Sequence, residues 1–273
     1  NIQSIIMKKV LFIFLFSPFF IIAQQSSFIY ELHYKYNADS TKTEKIVFFL
    51  DVKNKESVFR SDKFRISDSL TAKRGFGNGF DMQFNNKQLY VVKNIEKNEA
   101  KKYVFVPLIF SVYSIQINEN LVWEITDEKM KIGKFECQKA ITSYGGRKWF
   151  AWFTNEIPIQ DGPYIFQGLP GLIVSITDDN NDYQFKLGEI KSFKWKDLHH
   201  ASSKKNISWE EFKKIQRNFY DDPIALINKS DIKSYDDAGA EIKTDYKAMR
   251  EGIQERIREK NNPLELNQKI EYR

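Results

Sequence analysis

The stretch GPYIFQGLPGLIVSI, residues 162–176, sets Phe166, Leu169, Leu172 and Ile173 directly beside Gly162, Pro163, Gly168, Pro170 and Gly171. Apolar side chains go to cores, whereas Gly-Pro clusters mark turns, which normally run over the surface. Both together predict a backbone that turns sharply while anchored in the interior. Pro170-Gly171 suits the central positions of a type II turn, where proline fixes φ and glycine accepts a positive one. Leu169, just before proline, is pushed to extended geometry. Past the turn, LIVSI reads as a buried strand. The G-x-x-G spacing of Gly168 and Gly171 is not G-x-G-x-x-G and opens no helix, so it gives no support to a nucleotide site.

Outward from this stretch, residues 28–193 read as strand after strand. FIYELHYKY (28–36), KIVFFLDV (45–52), ESVFRSDKFRI (56–66), KQLYVVKNI (87–95), KKYVFVPLIFSVYSIQI (101–117) and LVWEI (121–125) carry the β-branched and aromatic residues that fit a pleated surface. Their separations are short and hold turn residues such as Asn85-Asn86, 118–120 and Asp127-Glu128. Short connections demand antiparallel neighbours, so a meander is predicted. MKIGKFECQKAITSY (130–144) breaks at Gly133, and Gly145-Gly146 joins it as a hairpin to GGRKWFAWFTNEIPI (145–159). In that strand Arg147, Trp149, Ala151 and Phe153 point one way, and Lys148, Phe150, Trp152 and Thr154 the other. Aromatics on both faces predict a central strand covered twice. Trp149 and Trp152 are then either core or the lining of a ligand cavity.

The character changes after Phe193. Ser208 and Glu211 form a capping-box pattern, with Trp209, Phe212, Ile215 and Phe219 on one helical face. A second helix is predicted over 238–260 from Ile242, Tyr246, Met249, Ile253 and Ile257, with Pro263 in NNPLEL as its stop signal. The expected fold is therefore α+β: one domain over 24–273, with a large curved antiparallel sheet over about 28–193. Its open half-barrel, like that of lipoprotein carriers, would be covered by the helical part over about 207–262.

The beginning of the chain reads as targeting. Met7-Lys8-Lys9 precedes VLFIFLFSPFFIIA (10–23), a basic start, an apolar run and a small residue at Ala23. That is the layout of a secretory signal peptide over 1–23, with 1–6 upstream of the true start. The run is short for a membrane span and carries Pro18, so no transmembrane span is expected in the mature chain, which would be periplasmic or secreted. Net charge is +6, of which Lys8 and Lys9 supply +2, leaving +4. Lys and Arg are interspersed with Asp and Glu, so no nucleic-acid partner is indicated. Cys137 is the sole cysteine and has no internal disulfide partner. It reads as a small buried residue on a strand, with a reactive thiol left open.

The catalytic inventory is thin. His33, His199 and His200 belong to no zinc-binding spacing. Asp178, Asn180 and Asp182 alternate as in an EF-hand loop, but Tyr183 stands where glycine is required, and a polar hairpin turn fits better. Arg147 is expected to pair with Asp161 and Glu156. No catalytic residue, cofactor or metal ligand is assigned.

Gly168-Leu169-Pro170-Gly171-Leu172-Ile173 resembles the motif that names the GLPGLI family of exported proteins from Gram-negative bacteria. WEITDEKMKIGKFECQKA, GRKWFAWFTNEIPIQDGP and NNPLEL match its pattern too. The resemblance implies a domain of unknown function from genomes rich in TonB-dependent outer-membrane transporters, and it carries over no site residue. Three readings follow. The first is a non-enzymatic envelope protein binding an apolar molecule or lipid between sheet and helices, with the Gly-Pro loop near its mouth. The second is an accessory protein docking on such a transporter or another envelope protein. The third is a hydrolase needing Cys137, a histidine and a carboxylate together.

Overall fold

The computed structural model describes residues 25–77, 84, 88–107, 111–193, 197–225 and 233–273. The targeting segment of 1–23 and the Asn85-Asn86 turn lie outside the described residues. The described chain is mostly β with three α-helices, in the order β1 (Gln25–Tyr34), β2 (Glu44–Lys53), β3 (Glu56–Ser61), α1 (Asp62–Arg74), β4 (Val91–Asn94), β5 (Glu99–Val106), β6 (Ser111–Ile117), β7 (Glu124–Ile132), β8 (Phe135–Tyr144), β9 (Arg147–Thr154), β10 (Leu172–Asp178), β11 (Tyr183–Ser192), β12 (Lys205–Asn206), α2 (Trp209–Asp221), β13 (Ser234–Tyr235), β14 (Glu241–Ile242) and α3 (Tyr246–Glu259).

Twelve strands form one open sheet, in the order β12-β6-β5-β4-β3-β2-β1-β11-β10-β9-β8-β7. It is two meanders rather than one. β1–β6 run outward one way; β7–β11 start at the far edge and return, and β11 closes onto β1. All these pairs are antiparallel, but β12 joins β6 in parallel, so the sheet is mixed. β6 and β7 stand ten strand positions apart, roughly 48 Å on a flat sheet at about 4.8 Å per strand. Residues 118–123 join them with a reach of about 25 Å. The sheet must therefore curl until its two margins approach each other.

The inside of that curl is filled by the loop of residues 157–171. Tyr164, Ile165, Phe166 and Leu169 are buried in one cluster with Tyr30, Phe48, Phe59, Trp149 and Phe185 from the strands. Phe166 packs on Trp149 at 4.7 Å between ring centroids, and Tyr164 meets Phe59 edge-on at 6.5 Å. This is why the stretch holds both residue classes. The aromatic and aliphatic side chains fill the trough, and the glycines let the backbone fold tightly enough to fit there. A buried loop must satisfy its backbone groups. The Gly168 N–H donates to Gln160 O at 3.0 Å, the Leu172 N–H to Ile157 O at 3.0 Å, and the Ile173 N–H to Asp161 O at 3.0 Å. Trp123 Nε1 donates to Gln167 O at 2.9 Å, and the Tyr30 hydroxyl to Ile173 O at 2.6 Å.

The glycine roles differ from the type II turn expected at Pro170-Gly171. Positive φ belongs to Gly168 (+93°), not to Gly171. Gly171 is needed for space: a Cβ there would lie 2.0 Å from Thr154 O. Gly162 is also tight, though against a side chain: its Cβ would meet Ile173 at 2.7 Å.

The helical regions need further corrections. The stretch expected as a strand over 56–66 ends at Ser61, where α1 begins; Gly75 closes that helix in the left-handed conformation at φ 82°. The helix expected over 238–260 begins at Tyr246, capped by the Asp245 carboxylate. Asp236 and Gly239 turn the preceding residues into the β13–β14 hairpin, which leaves Ile242 exposed. α2 carries its expected capping box and packs Phe212 with Val104, Ile115 and Ile207. α3 has no buried residue. Asp127 and Glu128, expected in a turn, lie within β7 at a break in register between Ile125 and Lys129. No helix among the described residues is long and apolar enough to cross a membrane.

Gly171→Ala should destabilise the fold by about 3 kcal/mol, since backbone rather than a flexible side chain blocks the new methyl. Gly239→Ala, at φ +80° with open space around it, should cost about 1 kcal/mol. Urea midpoints at an unchanged m-value would check the difference; equal midpoints would contradict the steric role.

Candidate ligand-binding site

Two parts of the molecule concentrate polar side chains around the C-terminal strap, residues 261–270. The first is centred on Arg147. Its side chain is wholly buried, and all five of its N–H groups have acceptors. Nε donates to Leu264 O at 2.9 Å. Nη1 donates to Asp178 Oδ2 at 2.7 Å and Asp182 Oδ2 at 3.1 Å. Nη2 donates to Asn262 Oδ1 at 2.7 Å and Pro263 O at 2.9 Å. The Tyr183 ring lies 4.9 Å from the guanidinium carbon, and its hydroxyl donates to Asn262 O. Lys35 adds a second cation, 3.3 Å from Asp182 Oδ1. Charges balance, and the cluster ties the β10–β11 turn and the strap to the start of β9.

This replaces the expected pairing of Arg147 with Asp161 and Glu156. Asp161 instead pairs with Lys93, and the Glu156 carboxylate accepts the Glu136 N–H at 2.8 Å. The sequence signal that was missed is in the DDNNDY turn. Its alternating carboxylates, tested for a cation, are the ones that receive the guanidinium. Among the described residues, no group of three or more His, Cys, Asp and Glu is placed to hold a metal ion.

The second part adjoins a cavity of about 270 Å³. Its walls come from β5 (Lys102 and Val104), α2 (Trp209, Phe212 and Phe219), the end of α3 and the strap. Glu265 sits at its floor and accepts from Lys102 Nζ at 2.8 Å, from the Tyr144 hydroxyl at 3.1 Å and from the Tyr164 hydroxyl. Burial, then the Glu265 charge, raises both phenols well above their ordinary range, so they act as donors. Lys102 also lies 5.1 Å from the Trp209 ring centroid. Tyr164 holds a left-handed backbone, φ 54°, rare for an aromatic residue. The strap also explains Gly145-Gly146: a Cβ on either would come within 3.1 Å of its backbone.

The expected cavity aromatics lie elsewhere. Trp149 is fully buried in the trough and donates from Nε1 to Tyr144 O at 3.1 Å; Trp152 is half-buried on the other face. Neither lines the cavity, and nor do Gly162, Pro163, Phe166, Gly168, Leu169, Pro170, Gly171, Leu172 or Ile173. Among the described residues the other face of β9 is open over most of its length: Lys148 is exposed, and the Lys139 and Lys148 ammoniums lie over Phe150, while Thr154 at its end is buried. The cavity residues on α2 belong to the apolar stripe legible in the sequence; the contribution of NNPLEL, read only as a helix stop, was not. His33 lies against Glu31, His200 Nδ1 contacts Ala201 O, and the His199 carbonyl accepts from Arg60. Cys137 on β8 stands four strands from β1, which bears His33, roughly 19 Å along the sheet.

A family of proteins of unknown function, Porph_ging, matches residues 146–175, the segment from the Gly-Gly turn through the trough-filling loop. No curated protein matches the sequence. Among solved structures, the chain is similar to PNGF-II in a C2 crystal form, at 17% identity and a TM-score of 0.51, and in a P21 form, at 17% and 0.49. In each case 71% of this chain covers 33% of the other, so it spans about a third of the length of those proteins. At this identity the likeness concerns the fold.

Burial pushes the Cys137 thiol up to about 11. The thiolate is the reactive species, so native protein at pH 7.5 should react with a thiol reagent at least about tenfold more slowly than the urea-unfolded chain. A stopped assay of label incorporation reads this; equal rates would contradict a buried, inert thiol.

Proposed function

We propose that this chain is an exported, non-enzymatic envelope protein of the GLPGLI type that holds a small apolar or amphipathic molecule in the cavity between β5, α2 and the C-terminal strap. The observation that carries the reading is the composition of that cavity. Aromatic side chains of α2 form one wall, while the polar groups at its floor are already consumed by one another. Glu265 has three donors and Lys102 has its carboxylate, while Gln88, Gln216, Arg256, Lys260 and Lys269 also line the space, which suits an amphipathic molecule whose apolar part lies against α2 and whose polar end meets these groups. At about 30 Å³ per water, the space equals roughly nine waters.

The setting differs from a carrier with an open trough, because the chain fills its own trough. In this reading the curled open sheet with a helix against it takes the part of a carrier's half-barrel, and the cargo space moves to the sheet's flank. The segment of 7–23 supports export. A docking role on a transporter or other envelope protein would use the exposed edge strand β7. Its charged residues and its break in register discourage pairing with another chain, so the binding reading is preferred.

Native mass spectrometry of the protein purified from its own envelope tests this. A bound organic mass is expected, and Gln216→Trp, which fills the cavity from a half-exposed position on α2, should lose it while remaining folded. If wild type carries no added mass and gains no thermal stability from dodecanol or dodecanoate, the reading fails. A ligand at a hundred times its Kd should stabilise by about 2.7 kcal/mol, on the order of 5–10 °C in Tm.

A further inference from the structure

Lys93 on β4 and Asp161 in the trough-filling loop are in contact, and both side chains are wholly buried. Their polar partners are few. Lys93 Nζ meets Asp161 Oδ1 and donates to Gly162 O at 2.7 Å; Asp161 Oδ1 also accepts the Gly162 N–H at 2.7 Å. An ammonium has three protons to donate, so one is left over among the described residues. Asp161 Oδ2 likewise has no hydrogen-bond partner among the described residues. A charged pair with an orphan on each side is an expensive thing to place beside Tyr30 and Ile173, because desolvation is offset only when every remaining site is bonded.

An amide between the two side chains removes the difficulty. Its one N–H would donate to Gly162 O, its one C=O would accept from the Gly162 N–H, the orphan oxygen would leave, and no charge would remain. We propose that Lys93 and Asp161 are a covalent modification site, joined by an isopeptide bond formed within the folded protein. A proton passes from the Lys93 ammonium to the Asp161 carboxylate, giving a neutral amine and a neutral acid. Nζ attacks Cγ and the N–C bond forms; the attacking nitrogen passes a second proton to the already protonated oxygen, the bond from Cγ to that oxygen breaks, and one water leaves, so that a neutral amide remains. No oxidant, reductant or other reactant is required. Burial lowers the Lys93 pKa, which favours the neutral amine that attacks.

The link would join the two meanders: β4 belongs to the first, and Asp161 lies between β9 and β10 of the second. A chain with one cysteine has no internal disulfide to do this.

Tryptic mapping of the full chain by mass spectrometry decides the matter. The expected product is a branched peptide joining residues 88–97 to 149–186, lighter than the two together by one water and uncut after Lys93. Lys93→Met should give the 149–186 peptide unbranched and a full-length mass equal to its encoded value. Recovery of 88–93, 94–97 and 149–186 as separate wild-type peptides would overturn the proposal. That result needs no folded variant.

Discussion

The fold depends on a guanidinium that has no free valence. Arg147 stands at the first position of β9, where the Gly145-Gly146 turn delivers it into the interior, and each of its N–H groups meets an oxygen from elsewhere in the chain. Three of those oxygens come from the strap, more than a hundred residues away. Two come from the end of β10 and the tight turn that follows it. A buried charge is tolerable only when it is paired and fully hydrogen-bonded, and removing one partner of such a group typically costs about 3–5 kcal/mol. The strap in turn presses on both glycines of the turn that positions Arg147. The cavity floor inherits this order: Glu265 reaches Tyr144, Tyr164 and Lys102 because the residues just before it are held by Arg147.

A second constraint is geometric. A six-residue link between strands ten positions apart forces the sheet to curl, and a curled sheet has a concave face that must be filled. The loop of residues 157–171 fills it. Its glycines answer to two different demands, left-handed backbone at Gly168 and absence of a side chain at Gly162 and Gly171. The curl leaves space on the flank, where α2 closes over β5 and the strap forms the remaining wall.

Much of this was legible in the sequence, for identifiable reasons. Alternation and short turns marked the strands, the Ser208-Glu211 box marked α2, and the mix of Gly, Pro and aromatic residues marked a buried turn. Pairing across long separations was not legible. Nothing local says that β11 returns to β1, or that Asp178 and Asp182 serve Arg147 while Asp161 serves Lys93. Those choices are made by sheet order, and a carboxylate on a turn looks the same whichever cation it meets. α1 was missed because FRSDKFRI carries strand-like apolar residues, although Ser61 before Asp62 and Gly75 after Arg74 were the local boundary signals. The aromatic residues of β9 point to a cavity at Trp149 and Trp152. The structure uses those rings as packing, and the cavity walls come from α2 and from a C-terminal segment whose sequence reads only as a helix stop.

The most direct test of the central role of Arg147 is amide hydrogen exchange by mass spectrometry on wild type and Arg147→Met. Loss of the guanidinium should abolish protection in 261–270 and in the turn of 178–183 together, by about a hundredfold or more if roughly 3 kcal/mol is lost there, while β1–β3 keep theirs. A strap that stays protected in the variant, or a loss spread evenly over the whole sheet, would contradict the account.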